Sequence, residues 1–125
     1  MPLAVSVTGG NRHDVTQLIP LIDAIGPVTG KRGRPRQRPD ALYGDRGYDY
    51  DKHRRLLWAR GVKPIIARRG AQHGSGLGKV RWVIERTFAW LHSFRRLRTR
   101  YERSGVLHNA FLMLGAATIC QRLLP

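Results

Sequence analysis

The sequence predicts an α/β fold, because segments with strand-type and helix-type patterns alternate along the chain. Short apolar runs at residues 3–7, 41–44 and 62–67 are each followed by a stretch with helical spacing of apolar side chains. The chain has 125 residues and a hydrophobic share of 42%, which is enough to bury a modest core. We therefore expect one folded domain rather than a disordered chain.

The first predicted elements are a strand and a helix separated by a turn. Residues 3–7 have the alternating pattern of a strand. Asp14 followed three residues later by Gln17 has the form of a capping box, so a helix is predicted over residues 14–25. Pro20 lies within this helix and is expected to kink it or to mark its proper start. Residues 26–40, rich in Gly, Pro and charge, are predicted to form a loop.

The second half of the chain repeats the alternation. A strand at 41–44 ends at Asp45, a helix at 51–60 is stopped by Gly61, and a third strand follows at 62–67. After a basic, Gly-rich loop, apolar residues at i, i+3, i+4 and i+7 predict a helix over 79–100. The final helix, predicted over 106–123, is apolar nearly all round and is expected to be the most buried element.

The excess of positive charge indicates which class of molecule the protein binds. Lys and Arg number 23 against 8 Asp and Glu, which gives a formal net charge of +15. Such a charge repels itself in a compact chain, so we expect a polyanion, with nucleic acid favoured over an anionic membrane surface. No segment has the length and apolar character of a membrane span, and the single Cys120 excludes an internal disulfide and a cysteine-based zinc site. A cytoplasmic location is expected.

Two acidic residues stand in strongly basic surroundings and are candidates for chemistry. Asp45 follows a predicted strand, and ligands of open α/β sheets bind outside the carboxyl ends of strands. The alternative is an ordinary turn aspartate. Glu85 shares a helical stripe with Arg81 and His92 and is expected at the rim of the core, beside Trp82 and Phe88. Its alternative is a surface ion pair with Arg81.

Together the two carboxylates suit Mg²⁺ or Mn²⁺, which prefer oxygen ligands and tolerate one or two carboxylates with waters and phosphate oxygens. Two such ions can assist phosphodiester displacement, although a pair of acids is sparse for that site. We interpret Asp14 as a helix cap, and Asp49 as a cap in preference to a ligand. The five histidines show no ligand-like spacing, which disfavours zinc.

The basic residues form runs in which Arg dominates, and Arg suits bidentate phosphate contact. Solvated surface charge is the alternative for any single run, but several runs with few offsetting acids favour phosphate binding without sequence readout. The candidate DNA-binding residues are Arg81, His92, Arg95, Arg96, Arg98, Arg100, Lys31, Arg32, Arg34 and Arg36.

Several segments together resemble a known family. Residues 43–49 (YGDRGYD) resemble the segment around the second catalytic aspartate of DDE-type insertion-sequence transposases, and residues 83–91 (VIERTFAWL) resemble the helix with their catalytic glutamate. Residues 9–14 and 73–78 also look like the insertion-sequence-five group. The resemblance implies a ribonuclease H-like fold, Mg²⁺, and strand cleavage and transfer at transposon ends. Asp45 and Glu85 would then be the catalytic metal ligands.

The departures from the family are specific. Its first catalytic aspartate lies on the first strand of the sheet, and no matching segment is present. We therefore expect residues 1–125 to be the C-terminal part of a single catalytic domain that lacks the first strands and is inactive without its upstream part. The product of an upstream overlapping reading frame is an expected partner, and an oligomer is left open. In a related Tyr-Arg-Glu-Lys signature, Arg81 matches, whereas Gly78 and His92 occupy the other two positions.

The resemblance further implies a bacterial, nucleoid-associated protein that binds transposon-end and target DNA. Two other readings of the charge are kept. One is a non-enzymatic, basic nucleic-acid-binding protein derived from a transposase, which would bind in a salt-sensitive way without metal dependence. The other is an RNA-binding accessory protein of the translation machinery, which explains the charge but not the two acidic segments.

Overall fold

In the computed structural model, which describes residues 1–30, 32–72 and 77–124, the chain forms two compact units. One unit is His13–Val80, and the other combines Met1–Arg12 with the chain from Arg81 onward. Short 3₁₀ turns lie at Asp14–Gln17, Arg46–Tyr48 and Leu77–Lys79. The regular elements are α1 (Leu18–Asp23), β1 (Ala41–Gly44), α2 (Asp51–Ala59), β2 (Lys63–Ile66), α3 (Arg81–His92), α4 (Arg95–Arg98) and α5 (Gly105–Leu123).

The His13–Val80 unit contains a two-stranded parallel sheet, which confirms the predicted α/β class. β1 pairs with β2 from Ala41 opposite Lys63 to Gly44 opposite Ile66, and α2 connects the two strands. Because the strands are parallel, the loops that follow their carboxyl ends lie at the same edge of the sheet. Asp45, directly after β1, therefore lies at the edge where the sequence places it.

An apolar cluster holds the helices against this sheet. Leu18 and Ile22 of α1, Leu57 of α2, and Val62 and Ile66 beside and within β2 are buried together. The predicted stop at Gly61 is confirmed, since Gly61 has φ +72° and donates its N–H to Trp58 O. Val62 N–H donates to Leu57 O, which completes a Schellman motif. This turn brings the fully buried Leu57 and Val62 side chains together at the end of α2.

One bidentate ion pair connects α1 with the end of α2. Arg60 Nε donates to Asp23 Oδ1 at 2.8 Å, and its Nη2 donates to Asp23 Oδ2 at 2.7 Å. The hydrogen bonds from Arg60 lower the pKa of the Asp23 carboxyl against the opposing effect of desolvation. The pair therefore stabilises the fold most while Asp23 is ionised.

In the other unit, α3, α4 and α5 pack against one another. Leu91, Ala116 and Ile119 form its buried apolar contacts. Helix α5 is capped by Ser104, whose hydroxyl accepts a hydrogen bond from Leu107 N–H. At Gly115 a Cβ atom would lie 2.7 Å from Leu97 Cδ1, so the absence of a side chain permits the close approach of α4 and α5.

The N-terminal predictions are partly wrong. Residues 3–7 form no strand, because an alternating pattern defines two faces but supplies no partner strand to hydrogen-bond with. Asp14 and Gln17 do not form a capping box: Asp14 is the first residue of a 3₁₀ turn whose preceding residue makes no side-chain cap bond. Pro20 is the third residue of α1, so the α-helix begins close to it and not at residue 14.

The long helix predicted over 79–100 is interrupted. Helix α3 ends at His92, and α4 begins at Arg95 after Phe94, which has an extended backbone with φ −82° and ψ 116°. Ser93 Oγ donates to Trp90 O at 2.7 Å, a local bond that competes with helix continuation. The regular apolar spacing concealed this break because it continues through Phe94.

The prediction that the final helix is the most buried element is also wrong. Val106 is 83% exposed, and Met113 and Leu114 are exposed as well, whereas Gly115, Ala116 and Ile119 are buried. The covered residues of α5 lie where it packs against α3 and α4 and where Cys120 donates to Pro2 O at 3.4 Å. The sequence of a helix shows which of its faces are apolar and could pack, but it does not show whether another element packs against each face.

None of the helices within 1–30, 32–72 and 77–124 combines the length and apolar character needed to cross a membrane.

The fold predicts that Leu57→Ala will lower the free energy of unfolding by about 2–5 kcal/mol, because it leaves a cavity at a fully buried position. Chemical denaturation followed by circular dichroism would measure it. Leu114→Ala, at an exposed helical position, is the matched control and should change stability by less than about 0.5 kcal/mol. Equal losses in the two variants would contradict the assignment of the core.

The Asp23–Arg60 pair predicts a pH-dependent effect of Asp23→Asn. The pKa of Asp23 is lowered in the folded state below its usual value of 3.8. Its stabilising contribution is therefore complete above that value and is lost as the pH falls through the folded pKa. At neutral pH the variant should melt below the wild type, and the two melting temperatures should converge in strong acid. Asp40→Asn, in an exposed pair with Arg36, should have little effect at either pH.

Candidate functional site

Asp45 is positioned by the turn that follows β1. Its backbone is extended, and its Oδ1 accepts a hydrogen bond from Gly47 N–H at 2.8 Å as the N-cap of the turn Arg46–Tyr48. The other carboxylate oxygen, Oδ2, has no hydrogen-bond partner within the described residues, and the side chain is exposed. Asp45 thus combines a fixed orientation with one oxygen that is open to a ligand.

Asp49, at the end of the same turn, has a role different from the predicted helix cap. The N-cap of α2 is Tyr50, and the Asp49 side chain is only 7% exposed. Its Oδ1 accepts a hydrogen bond from Arg54 Nε at 2.8 Å and lies 2.7 Å from Arg54 Nη2, and its Oδ2 accepts from Arg69 N–H at 2.7 Å. The hydrogen bond from the Arg69 backbone, followed by that from Arg54, holds the pKa of this carboxyl below its usual range.

Further hydrogen bonds join the loop after β1 to the loop after β2. Arg46 donates to Ala71 O at 2.9 Å, and Arg54 donates to Ile66 O at 2.8 Å. Arg69 donates through Nε to Arg46 O at 3.2 Å and through Nη2 to Gly47 O at 3.4 Å. Residues 46–49 of the first loop are therefore connected to Arg69 and Ala71 of the second.

The distribution of ion pairs sets Asp45 apart from most other acids. Six of the 8 carboxylates have an arginine within ion-pair distance. Asp14 and Asp45 have no ion-pair partner in the part of the chain that the structure describes. Burial, with the charges of Asp14 and Asp45, raises the pKa of the Tyr48 hydroxyl. An unpaired carboxylate in a chain of net charge +15 is free to bind an added cation.

Glu85 lies on α3, in the other unit, and its environment differs from the prediction. The side chain is 64% exposed and does not lie at the rim of a core, because Trp82 and Phe88 beside it are themselves more than half exposed. Arg81 Nε donates to Glu85 Oε1 at 2.9 Å, which is the surface ion pair considered as the alternative. Asp45 and Glu85 belong to different units, and no three His, Cys, Asp or Glu side chains converge among the described residues.

Sequence reasoning missed an aromatic stack on α3. The Arg86 guanidinium carbon lies 4.5 Å from the ring centre of Trp82 and 4.7 Å from that of Trp90. The three residues follow i, i+4 and i+8 spacing, so helical geometry alone could have revealed the stack. The Asp49–Arg54 pair has no comparable signal in the sequence, because it depends on the angle at which the turn enters α2.

The predicted basic residues near α4 remain at the surface but differ in how they are engaged. His92 lies on α3 with its ring 6.3 Å from that of Phe88. Arg95 lies over Tyr101, whereas Arg96 donates to the buried Glu102 at 2.6 Å. Of the other two, Arg100 donates to backbone carbonyls at 102 and 103, and Arg98 is exposed. Arg96 is thus the arginine of this group that pairs with a buried carboxylate.

The basic loop at 26–40 has more order than predicted. Val28 and Arg36 form an antiparallel bridge, with N–H to O distances of 2.7 Å and 3.0 Å in the two directions. Arg32 and Arg34 are exposed within the loop that this bridge closes, and Arg36 also pairs with Asp40. Lys31 and residues 73–76 of the second predicted family segment lie outside the described residues.

Comparisons with known proteins agree with the residue-level observations. The family model described as "Transposase DDE domain" matches residues 1–120. A protein of Burkholderia cepacia, "Putative transposase for insertion sequence element IS402", is 62% identical over 119 residues. That alignment covers 95% of this chain but 56% of the relative, so the chain spans about half the length of the curated relative it matches. No solved structure matches.

The match over nearly the whole chain includes both acidic segments, the one after β1 and the one on α3. A family model that covers residues 1–120 identifies this chain as a member of the DDE transposase family.

Proposed function

We propose that this chain supplies two of the three catalytic acids of an insertion-sequence transposase, Asp45 and Glu85. The observation that carries the proposal is the state of Asp45. It lies at the carboxyl edge of a parallel sheet, lacks an ion-pair partner among the described residues, and has one oxygen free in a strongly cationic chain. A structural aspartate in such surroundings would be expected to pair with an arginine, as six other acids do.

Asp45 and Glu85 could supply some of the ligands of a divalent-metal site. DDE transposase domains generally depend on divalent metal ions, and carboxylate oxygens are the ligands that Mg²⁺ and Mn²⁺ prefer. Asp45 offers Oδ2, and Glu85 offers the oxygen that Arg81 does not bind. When bound, such ions activate the attacking oxygen and stabilise the leaving oxygen in phosphodiester displacement. We propose Arg81 as the residue that orients Glu85 or contacts a DNA phosphate.

We propose that exposed cations in each of the two units contact DNA. Arg32, Arg34 and Arg36 project from the basic loop, and His92, Arg95, Arg96, Arg98 and Arg100 lie at the end of α3 and on α4. Arginine binds phosphate oxygens in bidentate fashion, and such contacts provide affinity without reading the base sequence. Lys31, outside the described residues, joins this set by its position in the sequence.

We further propose that residues 1–125 are the C-terminal part of one ribonuclease H-like catalytic domain, the fold that the family implies. The missing first acid and first strands would come from an upstream polypeptide, and the chain alone would be inactive. The described sheet has two strands, and the curated relative is longer than this chain. Action on insertion-sequence ends in the bacterial cytoplasm, at the nucleoid, belongs to the same proposal.

The proposal predicts that Asp45→Asn and Glu85→Gln each abolish strand transfer by the chain joined in frame to its upstream part. Activity should fall by at least about a hundredfold, because each change removes a charged ligand from a metal contribution worth several kcal/mol. The measurement is cleavage and strand transfer of insertion-sequence-end DNA with Mg²⁺.

Asp51→Asn is the matched control for these variants, because Asp51 is an exposed acid paired with Arg68 near the same loop. It should retain activity within a few-fold. Full activity of either Asp45→Asn or Glu85→Gln would show that the acid is not catalytic. Salt-sensitive DNA binding by a joined protein that has no strand transfer at all would favour the non-enzymatic alternative.

The basic loop predicts a defined loss of salt dependence. A plot of log affinity against log salt concentration has a negative slope. Replacing both Arg32 and Arg34 by Ala should make that slope shallower by about 0.9 for each phosphate contact removed. Fluorescence anisotropy of the 125-residue chain with labelled duplex DNA, across a salt series, would measure the slope. Arg12→Ala, an exposed arginine outside the basic runs, is the control. Equal slopes for the double variant and the control would remove the loop from the interface.

A further inference from the structure

The turn that carries Asp45 is held at both of its ends. At its start, β1 fixes the backbone of Gly44 by pairing with Ile66. At its end, Asp49 is held by Arg54 of α2 and by the backbone N–H of Arg69. The turn itself is closed by hydrogen bonds from Tyr48 N–H to Asp45 O and from Asp49 N–H to Arg46 O. Asp45 and Asp49 are therefore rigidly spaced along one short segment.

The middle of the turn is fixed from the opposite loop. Arg69 donates to Arg46 O and to Gly47 O, which are two of the three carbonyls between the ends. Gly47 in turn directs its N–H at Asp45 Oδ1. The group that orients the Asp45 carboxylate is thus itself positioned by Arg69, and Asp49 holds the Arg69 backbone in place.

The Asp49–Arg54 ion pair is largely buried, which is unusual for a contact that only closes a surface loop. The two side chains are 7% and 14% exposed, so both charges give up most of their hydration. A buried ion pair of this kind often contributes little net stability compared with apolar residues of similar size, although breaking it by removing one partner is costly. What the pair does supply is a unique geometry for the residues attached to it.

We propose that Asp49 is a positioning residue for Asp45, acting through Arg54 and the Arg69 backbone to hold the Asp45–Asp49 turn so that the free Asp45 oxygen faces a divalent cation. This inference rests on the proposed function, in which Asp45 binds that cation. Asp49 does not contact the cation, since both of its oxygens accept hydrogen bonds from arginine groups. It serves as an outer partner that orients a ligand.

The test is a titration of the isotope-labelled 125-residue chain with Mn²⁺, followed by nuclear magnetic resonance. Mn²⁺ at Asp45 broadens the Gly47 amide signal, because that N–H bonds directly to the Asp45 carboxylate. In Asp49→Asn the Mn²⁺ concentration for half-maximal broadening should rise roughly tenfold, as for loss of other outer partners of metal ligands. Arg54→Lys keeps the charge but not the two-nitrogen contact, and should shift the midpoint in the same direction.

A second readout separates positioning from a general loss of stability. In metal-free protein, Asp49→Asn should speed hydrogen exchange of the Gly47 amide relative to that of Val62, whose N–H bonds to Leu57 O in the core. A merely structural role would speed exchange at both amides together and leave the Mn²⁺ midpoint unchanged in folded protein. Asp51→Asn, with its exposed Arg68 pair, should leave both readouts unchanged.

Asp45→Asn distinguishes failure of this inference from failure of the proposed function. If Asp45→Asn abolishes the broadening while Asp49→Asn and Arg54→Lys leave the midpoint unaltered, the positioning role is overturned and the metal role of Asp45 stands. If broadening at Gly47 persists in Asp45→Asn, the metal role itself is wrong and the positioning role falls with it. Should Asp49→Asn fail to fold, Arg54→Lys decides the question alone.

Discussion

Parallel pairing of β1 with β2 is the constraint on which the rest of the His13–Val80 unit depends. Two strands of four residues cannot lie parallel without a crossover, and α2 is that crossover. Leu57 and Val62 bury the turn at the end of α2 and thereby hold β2 in register. The same pairing places the loops after β1 and β2 side by side, where Asp49, Arg54 and Arg69 can connect them. The geometry around Asp45 therefore follows from the packing of the core.

Scarcity of acids determines how charge is used in this chain. With few carboxylates among many cations, each paired acid organises one arginine and leaves the remaining cations at the surface. Asp23 joins α1 to the end of α2, Asp49 joins the loops after β1 and β2, and the buried Glu102 holds Arg96 of α4. Burial is the largest single influence on Glu102 and opposes its ionisation, but the hydrogen bond from Arg96, the backbone hydrogen bonds and the Arg96 charge together outweigh burial and lower the pKa of Glu102. The paired acids thus help to shape the fold, while the other arginines are left for the proposed contacts with DNA phosphates.

The sequence allowed correct prediction wherever the determinant was local. The strand before Asp45, the extent of α2 and its end at Gly61 each depend on a few adjacent residues, and the structure confirms all three. Predictions failed where the answer depended on a distant neighbour: among the described residues, the segment 3–7 pairs with no strand, and about half of the residues of α5 are exposed. For the site, motif resemblance pointed to Asp45 and Glu85, but their surroundings were accessible only in three dimensions. The pairing of Asp49 with Arg54 across the start of α2 is the clearest example.

The two proposed catalytic acids differ in how firmly this chain holds them, and the difference has a mechanistic consequence. An exposed i, i+4 pair such as Arg81–Glu85 is worth about 0.3–0.5 kcal/mol, which is comparable to thermal energy. Glu85 can therefore exchange Arg81 for a cation at little cost. Asp45 has no pair to break, and its carboxylate is already oriented by Gly47. In the proposed metal role, Asp45 would thus present a ligand oxygen in a preset orientation, whereas Glu85 would first exchange its contact with Arg81 for the ion.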